Sequence, residues 1–178
     1  MDYSELSASL VVKIEAISRC YSRKWSDANM NRWLNTLVTN EIPDDARVLE
    51  VGSFEGRSTN FWLLALQGST IVCIDTWEGG DEHKDLGSNA YADMPNVFER
   101  FRLNTQWARD RVEVFRQTSS DYFLTTHGLT DLFDLIYIDG SHHGADVICD
   151  AVNGFNCLKP GGVMIFDDFL WRYYANSN

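Results

Sequence analysis

Short apolar runs alternate with longer amphipathic segments along most of this chain, and this rhythm predicts strands and helices in turn. The runs that predict strands cover residues 47–51, 70–75, 111–115, 134–138 and 162–166. Four of them are rich in Val, Ile, Leu, Phe and Tyr without polar alternation, which is typical of parallel strands covered on both faces. The run at 111–115 alternates apolar and charged residues, so we predict that this strand lies at an exposed edge of the sheet.

The amphipathic segments predict helices at 5–20, 27–39, 57–66, 96–108, 120–127 and 145–157. In the last of these, apolar residues recur at helical spacing and predict the face that packs on the sheet, namely Ile148, Ala151, Val152 and Phe155. Alternating strands and helices are typical of a doubly wound sheet with right-handed crossovers. We therefore predict an α/β fold with a Rossmann-like, mostly parallel sheet and helices on both faces.

A turn with two glycines follows the first strand, in the segment Val48-Leu49-Glu50-Val51-Gly52-Ser53-Phe54-Glu55-Gly56-Arg57-Ser58-Thr59. Glycine lets the backbone approach a ligand where a side chain would clash. The dinucleotide pattern G-x-G-x-x-G is incomplete, and the carboxylates of Glu50 and Glu55 would repel a pyrophosphate. They would suit a cationic group instead, such as the amine and sulfonium of S-adenosylmethionine. Asp75 ends the second strand and is placed to accept hydrogen bonds from ribose hydroxyls, so the two features predict a nucleoside site.

Acidic residues follow several of the predicted strands. Because ligands of open α/β sheets lie beyond the carboxyl ends of the strands, these acids are predicted to share one crevice: Glu50, Asp75, Asp139, Asp167 and Asp168. The last three would repel one another unless a cation lies between them, and hard oxygen ligands suit Mg²⁺, Mn²⁺ or Ca²⁺. The alternatives are that one acid is protonated or that Asp168 only caps the segment that follows.

Further candidates for chemistry lie beside these acids. The fourth strand is followed by Asp139-Gly140-Ser141-His142-His143, where a histidine would titrate near neutral pH and accept a hydroxyl proton. We favour His142, because His143 lies closer to the predicted helix. Ser119 and Ser120 would cap a helix or bond an adenine edge. Trp77, two residues after Asp75, would stack on adenine or line the pocket.

The composition narrows the function. The chain has 178 residues and a net charge of −11, which favours one acidic domain and argues against nucleic acid or an anionic membrane as a partner. We expect a small-molecule partner, and a homo-oligomer is compatible with the composition. The four cysteines have no metal-ligand spacing and the N-terminus lacks the order of a signal peptide, so a cytoplasmic protein is predicted.

These motifs, in their order and spacing, resemble the class I S-adenosylmethionine-dependent methyltransferases. The resemblance covers about residues 46–170 and rests on the glycine turn, on Asp75 and on three later segments: Ile138-Asp139-Gly140-Ser141-His142, Leu158-Lys159-Pro160-Gly161-Gly162 and Asp167-Asp168. Within that group the chain is similar to the small-molecule O-methyltransferases of catechol type and of macrocin type, which act on sugars.

The resemblance implies a role for each matching position. The methionine part of S-adenosylmethionine would be held by Glu50, Gly52, Ser53, Gly56 and Ser58. Asp75 would bind the ribose, and the adenine region would be contacted by Thr76, Ser119 and Ser120. Asp139, beside the cofactor, matches one of the positions where metal-dependent members bind Mg²⁺, together with Asp167 and Asp168. His142 lies where catechol-type enzymes carry a basic lysine, and it would serve as the base with Asp139 in the catalytic centre.

The chain departs from the family in the number of strands. The family sheet has seven strands, the last two forming an antiparallel hairpin, whereas five are predicted here. The C-terminal strands of the usual seven are therefore expected to be missing, and the S-adenosylmethionine-binding domain at 46–178 to be truncated. Residues 1–45 are predicted to form an N-terminal helical segment that packs on the core or covers the cofactor.

The implied function is transfer of a methyl group from S-adenosylmethionine to a hydroxyl of a small polar acceptor, sugar or phenol-like, assisted by a divalent metal. Two alternatives stay open. One is a nicotinamide-dependent oxidoreductase on the same topology, against which the missing third glycine and Glu55 count. The other is a non-catalytic nucleoside-binding module, which the short C-terminus favours.

Overall fold

The computed structural model describes residues 3–17, 20–85, 94–126 and 128–169. These residues form one parallel sheet with the strand order β3-β2-β1-β4-β5. The strands are β1 (Arg47–Val51), β2 (Thr70–Asp75), β3 (Val112–Arg116), β4 (Phe133–Ile138) and β5 (Leu158–Phe166). The predicted Rossmann-like sheet of fewer than seven strands is thus confirmed. β3 lies at one edge, as its alternation of charged and apolar residues predicted.

Seven α-helices lie in the described part of the chain: α1 (Ser4–Ile17), α2 (Met30–Thr39), α3 (Arg57–Ala65), α4 (Asp81–Lys84), α5 (Val97–Thr105), α6 (Ser119–Thr125) and α7 (Gly144–Cys157). Two predicted helices are shorter than expected, because their outer turns form 3₁₀ helices at Trp25–Ala28 and Gln106–Arg111. The irregular stretch predicted at 78–95 contains α4, and residues 86–93 of it lie outside the described residues. Among the described helices, none has the length and apolar character needed to cross a bilayer.

The beginning of β5 corrects the prediction. A stop and a turn at 158–162 were expected, with the strand starting at 162. Instead Leu158 already pairs with Phe133 directly after α7, and the register then shifts before Leu135 pairs with Val163. Gly161 adopts a left-handed φ of +81° within this irregular part. The predicted turn residues are therefore a distorted segment inside the strand rather than a loop before it.

The hydrophobic core has two layers, one on each face of the sheet. Successive residues of a strand point to opposite faces, so Val48 packs with one layer and Leu49 with the other. The first layer lies under α1, α2, α3 and α5 and includes a cluster of buried aromatic rings from Trp33, Trp62 and Tyr137. The second layer lies under α6 and the end of α7. Helices on both faces leave the carboxyl ends of the strands open for a ligand.

The orientation of α7 contradicts the sequence prediction. Ile148, Val152 and Phe155, expected to face the sheet, are 65%, 58% and 72% exposed. The buried residues of the helix are Asp150, Gly154 and Cys157. A Cβ at Gly154 would lie 3.1 Å from Cε of Met164. The close approach of the helix backbone to the sheet at this glycine accounts for the rotation, which turns the apolar stripe outward.

Candidate functional site

A cavity of about 900 Å³ opens at the carboxyl ends of the strands. This volume is in the range of small-molecule sites. Five segments that follow the strands line it, and residues 23–29 of the N-terminal region add a further wall. Twelve of the residues singled out in the sequence are among those that line it: Gly52, Ser53, Ser58, Asp75, Thr76, Trp77, Ser119, Ser120, Asp139, His142, Asp167 and Asp168. Most of the predicted site residues therefore lie around one cavity, as expected for residues at the carboxyl ends of parallel strands.

Glu50, predicted to contact the cofactor, does not line this cavity. Its carboxylate is fully buried behind the turn, where Oε2 accepts hydrogen bonds from the Thr59 hydroxyl and, at 3.6 Å, from the Cys73 thiol. Burial raises the pKa of Glu50, and the hydroxyl donors act in the opposite direction. This side chain joins α3 to β1 and β2, which is a structural role in the turn.

The two glycines of the turn are required by the protein backbone itself. Gly52 has a left-handed φ of +85°, and a Cβ there would lie 2.0 Å from the carbonyl oxygen of Asp139. Gly56, at φ +78°, begins α3 and would bring a Cβ to 2.9 Å from Cγ2 of Thr105. Gly56, also predicted to contact the cofactor, lies outside the lining of the cavity. Gly52 thus lets the ends of β1 and β4 approach each other, and Gly56 lets α5 approach α3.

Asp75 is held by the backbone of the two neighbouring turns. Its Oδ2 accepts the N–H of Phe54 at 2.8 Å, and its Oδ1 accepts the N–H of Trp77 at 2.7 Å. The indole N–H of Trp77 in turn donates to the carbonyl of Phe54 at 2.7 Å. Phe54 and Trp77 both have left-handed φ values, +44° and +52°. Such strained residues persist where the surroundings fix them, and they cluster at ligand sites.

The pKa of Asp75 reflects this environment. Burial raises the pKa above its usual value, and the backbone N–H groups of Trp77, Phe54 and Ser53 act against that shift. Each carboxylate oxygen has further lone pairs beyond the one that accepts a backbone N–H. Asp75 is therefore pre-oriented to accept additional hydrogen bonds from a ligand in the cavity.

The segment after β3 contains a helix cap and two serines that line the cavity. Thr118 caps α6, because its Oγ1 accepts the N–H of Asp121 at 3.1 Å and the hydroxyl donates to the Asp121 carboxylate at 2.7 Å. Ser119 and Ser120 line the cavity in the first turn of that helix. The cap is thus made by Thr118, and the two serines face the ligand side.

Glu55 lines the cavity, but its carboxylate, expected to suit a cationic ligand, is engaged by protein groups. Its carboxylate is almost fully buried and forms an ion pair with Arg100. The backbone N–H and the hydroxyl of Ser22 also donate to it, at 2.6 and 2.8 Å. With its charge compensated by Arg100, Glu55 fixes the N-terminal region to the glycine turn.

A second set of contacts holds the N-terminal region against the start of α3. Arg57, buried in the first turn of α3, donates from Nε and Nη2 to the Asp27 carboxylate at 2.6 and 2.8 Å. Nη2 also lies 2.8 Å from Oε1 of Glu15 in α1. The Tyr21 hydroxyl accepts a hydrogen bond from the Asn60 amide at 2.6 Å. Residues 20–29 are therefore docked on the same turn that shapes the cavity.

The N-terminal region also supplies an aromatic wall that the sequence analysis missed. The Trp25 ring lies 5.6 Å from that of Phe54 and 6.3 Å from that of His83, and all three residues line the cavity. The Trp25 side chain is 56% exposed. Its exposed ring at the mouth of the cavity is within reach of a ligand there. The sequence offered no signal for it beyond the residue type, because Trp25 lies far from the glycine turn along the chain.

Carboxylates converge at the opposite end of the cavity, beyond β4 and β5. The Tyr137 hydroxyl lies 2.5 Å from Oδ2 of Asp167 and 3.0 Å from Oδ2 of Asp139. Burial, followed by the charges of Asp139 and Asp167, raises the pKa of Tyr137 well above its usual value, so the phenol keeps its proton. Burial, followed by the charges of Asp167 and Asp168, raises the pKa of Asp139. The direction of the Asp139 shift agrees with the two possibilities drawn from the sequence, a cation between the acids or a proton on one of them.

A group of three residues in this corner has the geometry of a cation site. One ligand atom from each of Asp139, His142 and Asp168 lies within 4.8 Å of the other two. Nε2 of His142 is 3.9 Å from Oδ2 of Asp168. The group differs by one member from the expected Asp139, Asp167 and Asp168. His143 instead sits at the N-cap position of α7, exposed, with its N–H on the Ser141 hydroxyl at 3.2 Å.

Comparison with known proteins agrees with this geometry. A family model described as a methyltransferase domain matches residues 49–169. The chain belongs to this methyltransferase family, which confirms the resemblance to class I S-adenosylmethionine-dependent enzymes. The match extends from β1 to the end of the described chain and includes Asp75, Asp139, Asp167 and Asp168.

The individual relatives have low sequence identity to this chain. The chain is 27% identical over 151 residues to O-methyltransferase hkm8 of Aspergillus hancockii, an alignment that covers 82% of this chain and 52% of that protein. Cofactor-bound Rv0187 from MTB superposes with a TM-score of 0.57 at 21% identity, covering 89% of this chain and 63% of that one. The O-methyltransferase TomG from Streptomyces achromogenes, solved in complex with SAM, gives a TM-score of 0.54 at 20% identity, covering 76% and 55%. The chain spans about half the length of the curated relatives it matches.

Proposed function

We propose that this chain binds S-adenosylmethionine and transfers its methyl group to a hydroxyl of a small polar acceptor, with the help of a divalent cation. The observation that carries the proposal is the layout of the cavity. A carboxylate pre-oriented for a ribose lies after β2, and a convergent group of carboxylates and a histidine lies after β4 and β5. Family membership argues against the nicotinamide alternative.

The cofactor would lie in the part of the cavity beyond β1, β2 and β3. Asp75 would accept hydrogen bonds from the ribose hydroxyls, and Thr76, Ser119 and Ser120 would lie beside the adenine. Trp77 would line the pocket rather than stack on the adenine, because its ring is buried against Phe98 and Phe101. The methionine part would lie along Gly52, Ser53 and Ser58. Two of the relatives support this assignment by their names, one as an O-methyltransferase and one as a complex with SAM.

The sulfonium is a cation, and the charge of the cavity suits it. Acidic residues outnumber basic ones in the lining: Glu55, Asp75, Asp139, Asp146, Asp167 and Asp168 against Arg23 and Arg57. Negative charge attracts the sulfonium of the methyl donor and disfavours the pyrophosphate of a dinucleotide. This argument replaces the one based on Glu50 and Glu55, whose carboxylates are engaged within the protein.

The cation would be held by Asp139, His142 and Asp168. Carboxylate oxygens and one imidazole nitrogen suit Mg²⁺ or Mn²⁺, with the remaining positions open to water and an acceptor hydroxyl. A bound divalent cation lowers the pKa of a coordinated hydroxyl and orients it. Burial, followed by the charges of Asp167 and Asp168, raises the pKa of Asp139, and a bound cation would offset both effects.

His142 would have a second role when no cation is bound. Its Nε2, which lies 3.9 Å from Oδ2 of Asp168, would accept the hydroxyl proton of the acceptor. In both arrangements these residues would hold the acceptor oxygen in line with the sulfonium methyl. The C–O bond would form as the C–S bond breaks and S-adenosylhomocysteine leaves, and the hydroxyl proton would pass to His142 or, with the cation bound, to water. Most of the rate would come from holding the two reactants in that geometry. Asp139 lies next to Gly52 of the glycine turn, so it would lie between the cofactor and the acceptor.

The acceptor is proposed to be a small sugar or phenol-like molecule. A panel of sugars and phenols, assayed with isotope-labelled S-adenosylmethionine and added Mg²⁺, tests methyl transfer directly. Turnover that is lost with EDTA and restored by Mg²⁺ supports the cation, whereas EDTA-insensitive turnover lost in His142→Ala supports the histidine base. Cofactor binding without turnover on any acceptor would favour a non-catalytic nucleoside-binding module.

A further inference from the structure

The carboxylate of Asp167 is fully engaged by protein donors. The Tyr137 hydroxyl donates to Oδ2 at 2.5 Å, and the Asn29 amide lies 3.0 Å from Oδ1 and 3.3 Å from Oδ2. The backbone N–H of Asp168 also donates to Oδ1, at 2.9 Å. A carboxylate bound by three donors differs from its neighbours Asp139 and Asp168, which point toward His142.

The principal donor is fixed by packing. Tyr137 is fully buried, and its ring lies 5.1 Å from that of Trp33 and 5.4 Å from that of Trp62. A phenol in such a cluster has little freedom to move its hydroxyl. Its single proton is shared between Asp167 and Asp139, with the shorter distance to Asp167.

The second donor comes from another part of the chain. Asn29 directly precedes α2 and follows the 3₁₀ helix that Arg57 anchors through Asp27. Its amide therefore reaches Asp167 from the docked N-terminal region. Asp167 is thus held by Tyr137 of β4 and by Asn29 of the N-terminal region.

The conformation of Asp168 depends on the same carboxylate. Asp168 has a left-handed φ of +51°, a strained conformation for a residue with a side chain. The N–H of this strained residue donates a hydrogen bond to Oδ1 of Asp167. Its own carboxylate points toward Nε2 of His142. Asp167 therefore fixes the backbone that aims Asp168 at the candidate cation site.

We propose that Asp167 supports the cation site from behind rather than binding the cation, and that Tyr137 and Asn29 are positioning residues that act through it. This inference rests on the proposed function, because it assigns the cation ligands to Asp139, His142 and Asp168. Mutation of a residue that orients a metal ligand commonly lowers metal affinity by 10- to 100-fold. Loss of a ligand itself lowers the affinity further.

The test measures Mn²⁺ binding to the whole chain and to single variants of it. The electron paramagnetic resonance signal of free Mn²⁺ reports how much of the ion is bound. Tyr137→Phe removes only the hydroxyl, and we expect it to weaken Mn²⁺ binding by about 10-fold, with a similar effect in Asp167→Asn and a smaller one in Asn29→Ala. Asp168→Asn removes the charge of a ligand and should weaken Mn²⁺ binding more than any of these three variants. Tyr122→Phe is the matched control, since Tyr122 is a buried tyrosine on the other face of the sheet, and it should bind as the wild type does.

Three results would overturn the inference. They are wild-type affinity in Tyr137→Phe, a loss in Asp167→Asn as large as in Asp168→Asn, and no Mn²⁺ binding by the wild type. Binding of S-adenosylhomocysteine, measured in parallel by calorimetry, should be unchanged in Tyr137→Phe. Its absence in the wild type would refute the methyl-transfer proposal alone, because the Mn²⁺ comparison does not depend on it.

Discussion

Glu55 accepts the backbone N–H of Ser22 at 2.6 Å, and this contact joins the N-terminal region to the glycine turn after β1. The same carboxylate pairs with Arg100 of α5. One buried acid thus holds together the turn, the N-terminal wall of the cavity and a helix of the core. Its negative charge is used for assembly of the site, although its position in the motif suggested a ligand.

Glu55→Gln keeps the shape of the side chain and removes the charge that faces Arg100. Breaking a buried ion pair by removing one partner leaves an uncompensated charge, so we expect the free energy of unfolding to fall by about 3 kcal/mol. Urea unfolding followed by circular dichroism measures this. Glu99→Gln is the matched control, because its pair with Arg102 lies at the surface, with side chains 59% and 61% exposed. A loss in that variant should stay below about 0.5 kcal/mol, and equal losses would contradict the role of Glu55.

Gly52→Ala tests the close approach of β1 and β4. The added Cβ would meet the Asp139 carbonyl, and we expect a loss of more than about 4 kcal/mol of the free energy of unfolding. Gly128→Ala separates this clash from backbone strain, since Gly128 has the same φ of +85° with open space around it. Strain alone should cost about 1–2 kcal/mol. The explanation fails if both variants lose stability equally.

Asp139 should make stability depend on pH. Burial and the neighbouring charges raise its pKa in the folded state, so that state keeps a proton that the unfolded chain releases. In metal-free buffer this carboxyl therefore lowers the free energy of unfolding as the pH rises from about 4 toward its raised pKa. Asp139→Asn should remove that part of the decline.

The comparison is made by urea unfolding across the pH range with EDTA, and the control is Asp110→Asn, whose side chain is 93% exposed. The same decline with pH in Asp139→Asn as in the wild type would contradict the assignment. Added Mg²⁺ at neutral pH should stabilise the wild type and have less effect on Asp139→Asn.

The orientation of α7 can be tested by substitutions on its two sides. Val152→Ser lies on the exposed stripe and should change the free energy of unfolding by no more than about 0.5 kcal/mol. Gly154→Val places atoms against Met164 and should cost about 2 kcal/mol or more. Urea unfolding of both variants decides the matter, and a larger loss in Val152→Ser would restore the orientation expected from the sequence.

Local patterns were sufficient for the order of strands and helices and for the rim where the site lies. The β1 and β2 boundaries were predictable because uninterrupted apolar runs and the following acids mark them clearly. The face of α7 was not, since a glycine that permits close packing outweighed the apolar periodicity. The start of β5 was also missed, because the distortion at Gly161 depends on pairing with β4.

The candidate site shows the same division. Asp75, Asp139 and His142 lie in the cavity because strand ends converge there whatever the details of packing. The roles of Glu50, Glu55 and Asp167 depend on partners distant in sequence, such as Ser22, Arg100 and Asn29. Trp25 and Tyr137 were missed for that reason, since nothing in their local sequence marks them as neighbours of the turn or of the carboxylates.

The central claim is that the cavity binds S-adenosylmethionine through Asp75, and calorimetric titration with S-adenosylhomocysteine tests it most directly. We expect saturable 1:1 binding by the wild type, at least about 10-fold weaker in Asp75→Asn because hydrogen bonds to a charged carboxylate are lost, and unchanged in Asp110→Asn. Absence of binding by the wild type, or full affinity in Asp75→Asn, would contradict the account.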